Sequence, residues 1–112
     1  MLEDGKIGYV ELPGMNLAVT KQFYAQAFGW GFIDYGPTYA AFDGAGLDGG
    51  FQADDPRPAP LVIVFAKDLE AMEAKVRAAG AEIIIPIFSY PGGRRFHFRD
   101  PAGNELAVFS TD

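Results

Sequence analysis

The chain has 112 residues, 49% hydrophobic and 21% charged, which suits one domain with a single core. A formal net charge of -6 and a pI near 4.6 argue against a nucleic-acid partner, which needs a basic face. There is no cysteine, so disulfide and thiolate chemistry are excluded, a composition compatible with a cytoplasmic setting. The acidic start MLEDGKIGYV has no apolar signal core, and no run approaches the roughly 20 apolar residues that span a bilayer.

In chain order, KIGYVEL (6–12) reads as a strand. Asn16 then caps a helix running to about Phe28 and stopped by Gly29. Thr20, Phe23, Tyr24, Ala27 and Phe28 form its expected apolar stripe. GFIDY, TYAAFD and a glycine-rich stretch near LDGGFQA read as three short strands. DGAGLDGG lacks the helix and the Lys-Ser/Thr pair of a phosphate loop, so its glycines are read as bulges or close backbone approaches.

The pattern then restarts. LVIVFA is a continuous apolar run, read as a strand buried on both faces. Asp68 caps a second helix that ends at Gly80, with Leu69, Met72, Val76 and Ala79 inward. AEIIIPIF, RRFHFR and ELAVF are the last strands, and Pro86 places its own at an edge or a bulge. DPAGN is a tight hairpin turn, with Pro101 at the first central position and Gly103 at the left-handed one.

Both halves therefore read βαβββ, an α+β fold. Module one covers about 5–53 and module two about 61–110. Between them ADDPRPAP (53–60) carries three prolines, which stiffen an exposed linker.

Two segments carry a family resemblance: ELPGMNLAVTKQFYAQAFGW (11–30) and FHFRDPAGNELAVF (96–109). With the doubled βαβββ unit they resemble the vicinal oxygen chelate superfamily, which includes glyoxalases, extradiol dioxygenases and bleomycin-resistance proteins. The resemblance implies a single domain of two modules whose curved mixed sheets enclose a cavity, with helices outside. It also implies a homodimer.

Enzymes of that superfamily hold a divalent metal with His, Glu or Gln on four strands. The resemblance puts three of those positions at Tyr9, Leu61 and Ala107, and the fourth between Gly49 and Gln52. Leu and Ala have no lone pair and a neutral phenol is a poor ligand, so no metal and no other cofactor is expected.

Strand parity supplies a cavity lining instead. If Tyr9 points inward, so does Glu11, and Gln52 is close by. If Ala107 points inward, so do Glu105 and Phe109, and Ile63 adds apolar wall. The resemblance puts His97, the only histidine, on the same face, with Arg95 and Arg99. The expected ligand-binding set is thus Tyr9, Glu11, Gln52, Ile63, Arg95, His97 and Ala107, with no catalytic residue assigned. His97 reads either as a hydrogen-bonded strand residue or as an acid–base group working with Glu11, and Arg95 with Glu11 as an internal ion pair or as ligand contacts. The functional expectation is a metal-free protein binding a flat or aromatic small molecule. The alternative is a superfamily lyase, isomerase or dioxygenase with a non-standard or metal-independent site.

Overall fold

The computed structural model describes residues 2–54 and 59–112, so most of the prolines of the predicted linker lie outside the described residues. Ten elements follow in the expected order. They are β1 (Ile7–Pro13), α1 (Leu17–Phe28), β2 (Gly31–Asp34), β3 (Tyr39–Asp43), β4 (Gly49–Gln52), β5 (Leu61–Phe65), α2 (Leu69–Ala78), β6 (Glu82–Tyr90), β7 (Gly93–Arg99) and β8 (Glu105–Ser110). The fold is α+β with mixed strand pairing. It forms two compact units, Tyr9–Pro60 and Met1–Gly8 with Leu61–Asp112, called here the first and second modules. Among the described residues no helix is long and apolar enough to cross a membrane.

In the first module the strand order is β2-β3-β4-β1, with β1 parallel to β4 and the other pairs antiparallel. The Asn16 side chain accepts the Val19 N–H at 3.2 Å and starts α1. Gly29, at φ 77°, ends it by donating to the Ala25 carbonyl. The expected stripe of α1 needs correction, because Phe23 and Phe28 are 58% and 63% exposed and Ala27 is exposed too. The half-buried positions are Leu17, Thr20, Lys21 and Tyr24, a narrower face centred to one side of that stripe. Tyr24 stacks on Trp30 (centroids 4.8 Å apart) and packs against Phe51, which meets Phe42 and Phe32.

In the second module the order is β5-β8-β7-β6, with β5 parallel to β8. Asp68 accepts the Ala71 N–H at 3.0 Å and caps α2. The core is Ala66, Leu69, Phe96 and Val108, packed by Met72, Val76, Val64, Ile83, Ile87 and Phe98. Ala79, the last residue of the expected stripe, is exposed as the C-cap. β5 is buried at Leu61, Ile63 and Phe65 but only half-buried at Val62 and Val64. β6 extends past the expected end to Tyr90. It pairs only with β7 among the described strands, and its register shifts between Ile85 and Phe88, beside Pro86.

Arg94 joins α2 to the chain's last residues. Its guanidinium donates to Glu70 at 2.5 and 3.2 Å and to Asp112 at 3.3 Å. The Arg94 hydrogen bond is the main cause holding the Glu70 carboxyl below its ordinary 4.5. The Ser110 hydroxyl, then Arg94, lowers Asp112 from 3.8. Folded values below the unfolded ones mean stability present above the ordinary values and lost as pH falls through the folded ones. The destabilisation caused by Arg94→Ala, read as a urea midpoint, is therefore expected to be larger at pH 7 than at about pH 3. The groups are exposed, so the difference is small.

Candidate small-molecule site

The β7–β8 hairpin builds the polar part of the second module. The Asp100 carboxylate accepts the N–H groups of Ala102 and Asn104, both at 2.9 Å, and Gly103 takes φ 93°. The two Asn104 contacts are the leading causes that keep the Asp100 carboxyl below its ordinary value. This turn sets the register Arg95↔Phe109, His97↔Ala107 and Arg99↔Glu105. Directly paired residues share a face, so these six side chains lie on the side of the sheet opposite Phe96, Phe98 and Val108, which pack toward α2. Ile63 joins them through its pairing with Ala107.

On that face His97 is buried and its Nδ1 lies 2.8 Å from Glu105 Oε2. Its ring stacks on Phe88, with centroids 5.9 Å apart. The Arg95 guanidinium lies 5.6 Å from the Phe88 centroid and 5.2 Å from that of Tyr90. The carboxylate beside His97 is thus Glu105, a contact the sequence reading did not pair with it. The signal was present: the DPAGN turn fixes the hairpin register, and Glu105 is the diagonal neighbour of His97 across it.

In the first module Tyr9, Glu11 and Gln52 sit on the face opposite the Tyr24–Phe51 aromatic cluster. The pairs Glu11↔Gly50 and Tyr39↔Gln52 put them beside Tyr39. The Tyr9 and Tyr39 hydroxyls are hydrogen-bonded to each other. Gly50 makes this possible, since a Cβ there would lie 2.5 Å from the Tyr39 hydroxyl oxygen. Burial is the largest influence on the Tyr9 phenol and pushes it above its ordinary value, outweighing the Tyr39 hydrogen bond that lowers it. Tyr9 is therefore a neutral phenol at physiological pH. Glu11 is buried, and the Gln52 amide donates to Asp54. Ile7, at the start of β1, is 65% exposed.

The donors at the four implied ligand positions do not fit a divalent metal. Leu61 and Ala107 are buried aliphatic side chains, Tyr9 is a neutral phenol, and in the fourth span only Gln52 carries a donor oxygen, fewer groups than a dication needs. Among the described residues no group of three or more His, Cys, Asp or Glu is placed to hold an ion.

Two βαβββ modules with this strand order define a domain of the vicinal oxygen chelate class. The profile of the Glyoxalase/Bleomycin resistance protein/Dioxygenase superfamily matches residues 6–108, and the chain belongs to that superfamily. Among solved structures it is similar to one described as an NAD-dependent benzaldehyde dehydrogenase from Legionella pneumophila. There the identity is 20% and the TM-score 0.76, over 93% of this chain and 98% of that one. It is also similar to a Mn(II)-bound glyoxalase from Novosphingobium aromaticivorans (23% identity, TM-score 0.68, 99% of this chain and 40% of that one). A methylmalonyl-CoA epimerase from Mycobacterium tuberculosis matches at 14% identity and TM-score 0.72, over 100% of this chain and 93% of that one. The chain thus spans less than half of that glyoxalase, and identities this low carry the fold alone. No curated protein sequence matches the chain.

Proposed function

We propose that this protein binds a flat or aromatic small molecule without the superfamily's metal. The observation that carries the reading is the row of Tyr90, Arg95, Phe88 and His97 on the face of the second module turned away from α2. Aromatic faces beside a guanidinium and an imidazole offer stacking together with polar orientation, the general composition of a small-molecule pocket. Ile63 and Ala107 supply apolar surface on the same face. Within the first module, taken by itself, Tyr9, Glu11 and Gln52 are proposed as ligand-contacting polar groups, with the neutral Tyr9 phenol as a hydrogen-bonding group.

Thermal-shift and calorimetric titration with benzoate, indole and naphthalene test this. At least one probe is expected to stabilise the fold in proportion to its concentration. Arg95→Ala is expected to weaken that probe about tenfold, the scale of a desolvated cation–π contact. Mn, Zn and Ni are expected to leave the melting temperature unchanged. Stabilisation by a stoichiometric metal, with no response to any probe, would overturn the reading.

A homodimer is part of the same proposal. The exposed apolar residues Met15, Val19, Phe23 and Phe28 on and beside α1 support it, because apolar surface gathered on one element favours association. Sedimentation velocity at micromolar concentration is expected to give a dimer, shifted toward monomer by Phe23→Glu.

A further inference from the structure

We infer that the Asp43–Gly44 junction, where β3 ends, is a modification site at which isoaspartate forms in the folded protein. The chain carries three Asp-Gly pairs, at 4–5, 43–44 and 48–49. The reaction needs the glycine amide nitrogen to reach the side-chain carboxyl carbon of the aspartate before it. Glycine favours this, because it has no side chain to shield that nitrogen and its backbone turns freely. The dipeptide is the same three times, so the fold separates the sites.

Two of the pairs are tied down. The Gly5 N–H donates to the Phe65 carbonyl at 2.8 Å, and the Asp4 carboxylate accepts the Lys67 N–H at 2.9 Å. Both reacting groups of that pair are thus engaged. The Asp48 carbonyl accepts the Val10 N–H at 3.1 Å. Gly49 is buried in β4, paired with Val10, and a Cβ on it would overlap the Val10 carbonyl oxygen. The peptide between Asp48 and Gly49 turns toward the Asp48 carboxyl only if β4 leaves β1. Asp43 and Gly44 are different. Both are exposed, and Gly44, at φ 85°, has open space where a side chain would stand. The Asp43 carboxylate lies beside Gly31, its register partner, which has no side chain to cover it. Among the described residues no hydrogen bond or ion pair holds that carboxylate.

The step is a ring closure with no change of oxidation state. The Gly44 nitrogen bonds to Asp43 Cγ, and the carboxyl OH leaves with the amide hydrogen as water. Water then adds back to either carbonyl of the succinimide. Opening at the main-chain carbonyl of Asp43 routes the chain through Cγ and makes isoaspartate. The connection from β3 to β4 is then one methylene longer.

The purified protein is aged at neutral pH and physiological temperature, in buffer and in concentrated urea. Isoaspartate is counted by methyl transfer from an isoaspartyl methyltransferase. It is located with a protease that cuts before aspartate but not before isoaspartate. In buffer, cleavage before Asp43 is expected to be lost about tenfold faster than before Asp4 or Asp48, because those two must first open locally. In urea the three sites are expected to convert at similar rates. Asp43→Glu, which keeps the charge but disfavours the five-membered ring, is expected to abolish most of the methyl-accepting signal formed in buffer. Equal rates at the three sites in buffer, or a faster site than Asp43, would overturn the inference. So would an undiminished signal in Asp43→Glu, or an unmodified Asp43 in buffer once the urea sample has converted.

Discussion

Phe96→Ala is expected to cost about 4 kcal/mol of folding stability, read from urea denaturation of the purified protein. Phe96 is completely buried and touches the residues that join α2 to the sheet, with Leu69 on the helix and Val108 on the neighbouring strand. Truncation loses the transfer free energy of the ring and leaves a cavity that fixed strands cannot close. Domains of this size are stable by about 5–15 kcal/mol, so the variant is expected to sit near the edge of folding. Leu47→Ala is the exposed control. A large apolar side chain 57% exposed and outside the α1 patch, it is expected to change stability by less than about 0.5 kcal/mol. Equal effects at the two positions would contradict the burial described above.

Gly49→Ala is expected to cost about 3 kcal/mol, through crowding alone. Gly49 does not take the positive φ that favours glycine, so a left-handed conformation is not what demands it. The obstacle is its neighbours: a Cβ would overlap the Val10 carbonyl oxygen and lie 2.6 Å from Phe42 Cε2. The carbonyl belongs to the strand that pairs with β4, so relief requires moving β1 or β4 as a whole. Either movement disturbs the pairing that brings Tyr9 toward Tyr39. The variant is expected to show both a lower urea midpoint and a changed tyrosine titration by ultraviolet absorbance. Full retention of both would mean that the β1–β4 approach is looser than described.

The sequence made the punctuation of the fold readable. Asn16, Asp68, Gly29 and the DPAGN turn act through local geometry, which a short window of residues determines. The α+β class was legible because a strand, a capped helix and three further strands recur in both halves, and the superfamily because residues 11–30 and 96–109 resemble its motifs. The packing face of α1 was not. Aromatic residues occupy so much of that helix that helical spacing could not say which ones the sheet would cover. On the β7–β8 hairpin, parity together with the resemblance put Arg95, His97 and Ala107 on one sheet face, which is the face their strand pairing gives them. It did not pick the partner of His97, because parity names a face while the contact depends on a diagonal across two strands. Tyr39 was missed likewise, since its reach to Tyr9 depends on the missing side chain at Gly50.

The parallel pairings of β1 with β4 and of β5 with β8 bear on the order of assembly. In each module three consecutive strands can zip together through short turns, whereas the leading strand must wait for the last of them to be made and then close a long loop onto it. Tyr9 and Glu11 ride on one such leading strand, and Ile63 on the other. The residues proposed to touch a ligand thus divide between the two kinds of strand, with Arg95, His97 and Ala107 on strands joined through a short turn and Tyr9, Glu11 and Ile63 on strands joined by loop closure.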